Sequence, residues 1–375
     1  MENHEENICL CAINRIFGFN PKVAHGLISA FGSSTEIFKL NEKDISQIPG
    51  LKPEFKQKLT RRTRDETERE LEQLARKDIT FCGFSEKGYP PLLRECSDSP
   101  IGLYIRSKTP AAELWNSDRH ISVVGTRDLS PYGKTWCRRI VEALAMTKET
   151  PPIISGLALG TDIHAHANAL EYNLPTIAVM ATGPEDVYPH RHLQMAERLV
   201  HTPGCALITD YPPGTTPLPC NFLRRNRIIA GISDATILIE SKIRGGGLMT
   251  SRLAFSYDRD VLALPGRIDD IRSQGCNELI SKKIAEPIVS MKDLLKNLGL
   301  TGLSHFSQER PAEWIGLTKD IVMLIKEESG IGIEDIAIRT GAGYKKTNEI
   351  INTLEIDGII TVDLLQRCCI NTKNM

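Results

Sequence analysis

Between about residue 80 and residue 298, short runs of β-branched and aliphatic residues alternate with longer helical stretches. That rhythm constrains the fold more than any other feature of the chain. The runs lie at 120–125, 152–155, 176–180, 206–209, 235–240 and 260–264. Each is followed by a loop bearing glycine or proline and then by an amphipathic stretch. Strands separated in this way pair in parallel, because a helix long enough to cross over returns the chain to the same edge. The expectation is an α/β fold, a parallel βαβ sheet with helices on both faces. Ligands of such sheets lie outside the carboxyl ends of the strands, so the residues just after each run carry the functional information.

The flanks read differently. Leu10, Ile13, Ile16 and Phe17 recur at helical spacing, Phe19-Asn20-Pro21 breaks the pattern, and Val23, Leu27, Ile28 and Phe31 resume it. Asn41 then caps a turn carrying Ile45 and Ile48, the glycine turn 49–53 follows, and a charged helix is expected over 54–77. This segment fits either a helix-hairpin-helix-like unit, whose turn amides meet a phosphate, or a small helical packing domain. Residues 299–312 have linker composition. Beyond them, helices at 318–328, 333–340 and 345–357 and a strand at 359–362 make a winged-helix pattern. Its net acidity favours protein contact over tight DNA binding. The expected organisation is 1–78 helical, 79–298 parallel sheet, 299–312 linker and 313–375 winged-helix-like.

Composition removes several classes. The 375 residues exceed one domain of usual size, and Lys+Arg 46 against Asp+Glu 47 gives a net charge of −1, which excludes a histone-like protein. No window approaches the about 18 consecutive apolar residues of a membrane span. The acidic start Met1-Glu2-Asn3-His4-Glu5-Glu6 is no secretory signal, and the ten cysteines lack C-x-x-C spacing, so a cytoplasmic protein with reduced thiols is expected. Charge is nevertheless uneven: Arg224, Arg225, Arg227, Arg244, Arg252, Arg259 and Arg267 crowd one stretch. A polyanion would bind there.

The loops sharpen this. After the run at 120–125 come Gly125, which lets a ligand approach the backbone, and Arg127, which projects where an anion would sit. Ser130-Pro131 starts a helix. Gly133-Lys134-Thr135 looks like the tail of a P-loop, but position 128 is Asp where glycine is needed, and no G-x-G-x-x-G follows the strand. After the run at 152–155, Gly156 through Asp162 opens a helix whose free amides suit an anion. Asp162 by itself reads as a cap, and His166 as a packed, hydrogen-bonded residue. Phe222 and Arg225, three apart, share one helix face, and Arg224 and Arg227 another. Phe222 fits equally a core position and a stacking platform for a base. Arg225 is expected on a phosphate. Lys242 and Arg244 flank three glycines, Gly245 to Gly247, that lead into a helix, the makings of a phosphate cradle. No nucleophile–base–acid set and no metal-ligand cluster is evident, so neither catalysis nor a cofactor is expected.

Together the stretches Val124-Gly125-Thr126-Arg127, Ser130-Pro131-Tyr132-Gly133, Ser155-Gly156-Leu157-Ala158, Gly160-Thr161-Asp162, Ala165-His166, Asp186-Val187-Tyr188-Pro189, Tyr211-Pro212-Pro213-Gly214, Phe222 with Arg225-Asn226-Arg227-Ile228-Ile229-Ala230-Gly231, Gly246-x-Leu248-x-Thr250 and Leu264-Pro265-Gly266 resemble the DNA-processing protein A (DprA, or Smf) family. The resemblance implies an extended Rossmann-like core between an N-terminal all-α (helix-hairpin-helix or SAM-like) domain and a C-terminal winged-helix domain. It also implies a homodimer through the Rossmann-like domain that binds single-stranded DNA, protects incoming DNA and loads the RecA recombinase in natural transformation. The DNA-binding set it points to is Gly125, Thr126, Arg127, Gly156, Phe222, Arg224, Arg225, Asn226, Lys242, Arg244, Gly246 and Thr250. Leu159 and His190 stand where the family often has a basic residue. A rival reading is a nucleotide-cleaving, phosphoribohydrolase-like enzyme, whose P-G-G-x-G-T-x-x-E loop resembles Gly246-Gly247-Leu248-Met249-Thr250. Position 253, where the acid would lie, is Leu.

Overall fold

The computed structural model describes residues 2–300, 312–356, 359–363 and 366–370. Most of the expected linker and the end of the helix expected over 345–357 lie outside them. The chain divides into two compact units after residue 304.

In the first unit a nine-stranded sheet has the order β1-β2-β6-β5-β4-β3-β7-β8-β9. Its strands are β1 (Ile79–Gly83), β2 (Gly102–Arg106), β3 (Ile121–Val124), β4 (Ile153–Ser155), β5 (Thr176–Val179), β6 (Ala206–Thr209), β7 (Ala235–Leu238), β8 (Asp260–Ala263) and β9 (Glu286–Pro287). All six expected runs are strands, and those six pair in parallel. The sheet also carries an antiparallel edge, with Ile79 opposite Arg106 and Tyr104 opposite Thr209.

Alternation along each strand feeds two cores. Val123, Ile237 and Leu262 pack with Cys137, Ile140 and Val141 of the helix Pro131–Ala145 and Ala165 and Ala169 of the helix Thr161–Glu171. Their neighbours Val124, Leu238 and Val261 pack on the opposite face with Ile228 and Ile229 of the helix Pro219–Ile232 and Leu248 and Ala254 of the helix Gly246–Ser256. Truncating any of the large aliphatic side chains to Ala costs about 2–5 kcal/mol.

The N-terminal helices, among them Glu2–Phe17 and Pro21–Phe31, belong to this first unit. Leu10, Ile13, Phe17 and Leu27 share a core with Ile79 and Phe81 of β1 and Tyr104 of β2. Asn41 caps its helix as expected, its Oδ1 accepting from the Asp44 amide at 2.9 Å. The single charged helix expected over 54–77 is instead two, Pro53–Lys56 and Arg61–Ala75. The second starts afresh because the Thr60 hydroxyl accepts from the Thr63 amide at 3.2 Å.

The second unit holds the helices Ala312–Glu327, Ile333–Thr340 and Tyr344–Ile356 and the strands β10 (Ile331–Gly332), β11 (Ile360–Val362) and β12 (Arg367–Ile370). The strands pair antiparallel in the order β10-β12-β11 around Ile321, Ile325, Ile336, Ile351 and Leu354. No helix among the described residues is long and apolar enough to cross a membrane.

Candidate nucleic-acid interface

The strand order reverses between β3 and β7: the chain winds from β3 through β4 and β5 to β6 in one direction, and from β7 through β8 to β9 in the other. A parallel sheet leaves a crevice at that reversal, at the carboxyl ends of its strands. The loops after β3 and β7 form it.

Each loop is fixed by its own residues. After β3, the Ser130 hydroxyl accepts from the Gly133 amide at 3.0 Å, with Pro131 in the first turn of the helix. The buried Glu240 carboxylate, beyond β7, accepts from the Ser130 amide at 2.9 Å and ties the two strand ends together. The Thr161 amide donates to the Thr126 carbonyl at 3.1 Å, which joins the loop after β4 to the loop after β3. Gly160 sits at φ 73°, and a Cβ there would lie 2.3 Å from the Thr126 carbonyl oxygen. Only glycine lets the chain pass so closely under Arg127.

Above this scaffold the Arg127 guanidinium lies over the Phe222 ring, 5.2 Å from its centroid. The Tyr188 ring, on the loop after β5, stands 5.5 Å from the Phe222 ring at an interplanar angle of 60°. Arg127 is exposed, Tyr188 is 48% exposed and Phe222 is half-buried. A cation and two rings therefore form one accessible row. Lys242 and Arg244 are exposed after β7, the strand beside β3, and among the described residues neither has an ion pair. Gly245 precedes the helix Gly246–Ser256 without a capping side chain, and the Cβ position of Gly246 is open. The free amides of that helix's first turn form the positive end of its dipole.

The other residues expected on DNA make contacts within the protein. Arg225 is 3% exposed and donates to the Gly156 carbonyl at 2.6 Å and to the Val179 carbonyl. Its guanidinium is committed to the loop after β4 and the end of β5. Burial, with Arg127 adding to it against the pull of Asp162, lowers its pKa to about 10. A Cβ on Gly156 would fall 2.4 Å from that guanidinium, so Gly156 makes room for Arg225 and not for a ligand. Gly125 likewise admits protein: a Cβ there would lie 2.3 Å from the Thr161 hydroxyl, and Gly247 packs against its backbone. Thr250 is buried, its hydroxyl donating to the Gly246 carbonyl at 3.2 Å, and Asn226 is buried beside Arg225. The Thr126 hydroxyl accepts from the Asp128 amide at 3.2 Å and shapes the turn. Arg224 stacks on Phe19, 4.5 Å from its centroid, and donates to the Phe19 carbonyl at 3.3 Å.

Asp162 does not cap its helix. It is buried and accepts from the Ala158 amide at 3.3 Å, bracing the preceding loop. Burial raises its pKa, against the opposing charge of Arg225. His166 is packed as expected, with Nδ1 2.7 Å from the Thr176 hydroxyl. Of the twelve expected residues, Arg127 and Phe222 meet in one row, and Lys242, Arg244 and Gly246 lie at the neighbouring strand end. Sequence reasoning left out Tyr188, Gly160 and Glu240. An aromatic in the loop directly after a strand was the available signal for Tyr188.

Comparison with known proteins fits this geometry. Residues 80–299, more than half of the chain, match the family model of DNA recombination-mediator protein A. The chain is 34% identical over 289 residues to the Smf protein of Synechocystis sp., an alignment covering 77% of this chain and 66% of that relative, just under two thirds of its length. The solved DNA processing protein A of Streptococcus pneumoniae superposes with a TM-score of 0.61 at 28% identity, over 78% of this chain and 97% of that one. That of Helicobacter pylori, a structure described for its single-stranded DNA binding mode, gives 0.51 at 27% identity, over 58% and 95%. On its sheet, its strand-end loops and this extent of similarity, the chain belongs to the DNA recombination-mediator protein A family.

Proposed function

We propose that this chain binds single-stranded DNA without strong sequence preference through residues 79–298 and acts as a recombination mediator that carries out no reaction on the strand. The observation that carries this reading is the row of Arg127, Phe222 and Tyr188, with Lys242 and Arg244, which have no ion pair among the described residues, after the strand next to β3. Bases stack on exposed rings for about 1–3 kcal/mol each, and phosphates meet the cations. Neither contact reads a base edge, which is why sequence has little effect. The single-stranded DNA binding of the Helicobacter pylori relative supports the reading.

The family supports the rest: a cytoplasmic protein that protects incoming DNA during natural transformation and loads the RecA recombinase. The family resemblance also supports a homodimer through the Rossmann-like domain. The segment 313–375, with its three helices and small antiparallel sheet, serves as a winged-helix protein-contact module, and the helices of 1–78 as a helix-hairpin-helix or SAM-like module. Leu253, where a phosphoribohydrolase would place its acid, packs against the core and favours binding over cleavage.

Fluorescence anisotropy with labelled oligonucleotides tests this. Single strands should bind more tightly than duplex, and log K should fall by about 0.7 per decade of salt for each phosphate neutralised. Salt-insensitive binding, or a preference for duplex, would sink the reading.

A further inference from the structure

A second cleft, of about 320 Å³, opens where the turn between the first two helices meets the helix Pro219–Ile232. Phe19, Lys22 and Val23 line one wall and Tyr211, Arg224 and Arg227 the other, with Asp98 and Asp210 between them. The two carboxylates are already satisfied in part. Asp210 pairs with Arg227 at 2.5 Å, and Asp98 accepts from the Tyr257 hydroxyl at 2.8 Å. Arg227 is thereby held in place. Lys22 is exposed and without an ion pair among the described residues, while Arg224 is exposed, stacks on Phe19, donates to its carbonyl and lies within electrostatic reach of Asp210 without forming an ion pair among the described residues. Phe19 is 50% exposed, and its ring centroid is 5.9 Å from that of Tyr211. The cleft thus offers a planar guanidinium–aromatic tier, on which a base stacks, and two available cations for the flanking phosphates.

We propose that this cleft is a second nucleotide subsite on the path of the same single strand, with a base on the Phe19–Arg224 stack and phosphates at Arg224 and Lys22. It rests on the reading given above and extends it to the N-terminal helices. Two observations select a nucleic-acid strand as the occupant. Lys22, Arg224 and Arg227 outnumber Asp98 and Asp210 by one, so the cleft is net positive, and Arg224 stands on the same helix as Phe222, two residues on, with exposed Leu223 between them. A strand lying on Phe222 reaches Arg224 by crossing one helix.

The test uses the full-length protein and a ladder of labelled oligothymidylates, from lengths that fill only the Arg127–Phe222–Tyr188 row to lengths that also reach the cleft. Arg224→Glu and Lys22→Glu should each weaken the long oligonucleotides on the order of fivefold, lower their salt slope, and leave the shortest ones bound as in the wild type. Lys22 is exposed and makes no ion pair among the described residues, so its replacement should keep the wild-type urea midpoint, which checks that the fold is intact. Arg127→Ala should weaken every length. If Arg224→Glu and Lys22→Glu bind long strands like the wild type, or lose affinity equally at all lengths, the second subsite is wrong. If Arg127→Ala has no effect at any length, the primary interface fails instead, and the two failures are told apart.

Discussion

Arg225 donates to the carbonyl of Gly156 at 2.6 Å, and its guanidinium fills the space that a Gly156 side chain would need. The pair explains why a glycine at 156 and an arginine at 225 occur together. The charge stays buried because two carbonyls and the nearby Asp162 compensate it, and it holds the loop after β4 and the end of β5 in fixed relation beneath Arg127 and Tyr188.

Gly156→Ala should therefore act on the scaffold. The added methyl would lie 2.4 Å from the guanidinium and force Arg225 out of its seat. Arg225→Ala leaves two carbonyls unpaired and the Asp162 charge uncompensated, a loss of about 3–5 kcal/mol for a buried charged group deprived of its partner. Arg225→Lys should not restore it, since an ammonium lacks the planar fork. Urea unfolding should show both Arg225 variants destabilised. Full stability in Arg225→Ala would refute the supporting role.

Arg127→Ala should show the opposite pattern. The side chain is exposed, and its cation–π contact with Phe222 contributes about 0.5–1 kcal/mol. Stability should fall by no more than about 1 kcal/mol, the size of that one exposed contact. Single-strand affinity should fall about equally for all sequences, and the salt slope should drop by about 0.7 for the one phosphate contact removed. Anisotropy titrations at several salt concentrations measure both.

The contrast between these two arginines marks how far the sequence was legible. Six parallel strands were readable because runs such as Ile-Ser-Val-Val and Ala-Thr-Ile-Leu sit in a regular crossover rhythm. The antiparallel strands β1 and β2 lie outside that rhythm, and β9 is only two residues long. The break before Arg61 depended on one hydroxyl, that of Thr60, within a charged stretch that otherwise reads as a continuous helix. At the site, spacing placed Phe222 and Arg225 on one helix face but could not say how deep that face runs. The rotation of the helix against the sheet buries Arg225 and leaves Phe222 at the rim. Glycines after strands were expected to admit a ligand, yet Gly125 and Gly156 admit Thr161 and Arg225, contacts from residues remote in sequence.

Phe222→Ala and Tyr188→Ala should each cost the stacking of a base, about 1–3 kcal/mol of single-strand affinity. The salt slope should be unchanged, since no charge is removed. Phe222→Tyr keeps a ring and should bind nearly as well as wild type. A Tyr188→Ala variant with wild-type affinity would remove Tyr188 from the interface.

The buried His166 predicts a pH dependence of stability. Burial first, then the charge of Arg225 and the neighbouring His192, lowers its pKa from 6.5 to about 3. The folded protein therefore holds it neutral, while the unfolded chain takes up a proton below pH 6.5. Between those two values the unfolded state binds more protons, so stability is complete above pH 6.5 and declines as the pH falls toward 3. At pH 5 the loss from this one group is about 2 kcal/mol, and the steepest slope is about 1.4 kcal/mol per pH unit. His166→Gln removes the proton site while keeping a polar partner for the Thr176 hydroxyl, which is 2.7 Å from Nδ1. Urea midpoints at pH 7 and pH 5 should move apart by less in the variant than in the wild type. An equal shift in both would mean that His166 does not titrate differently on folding.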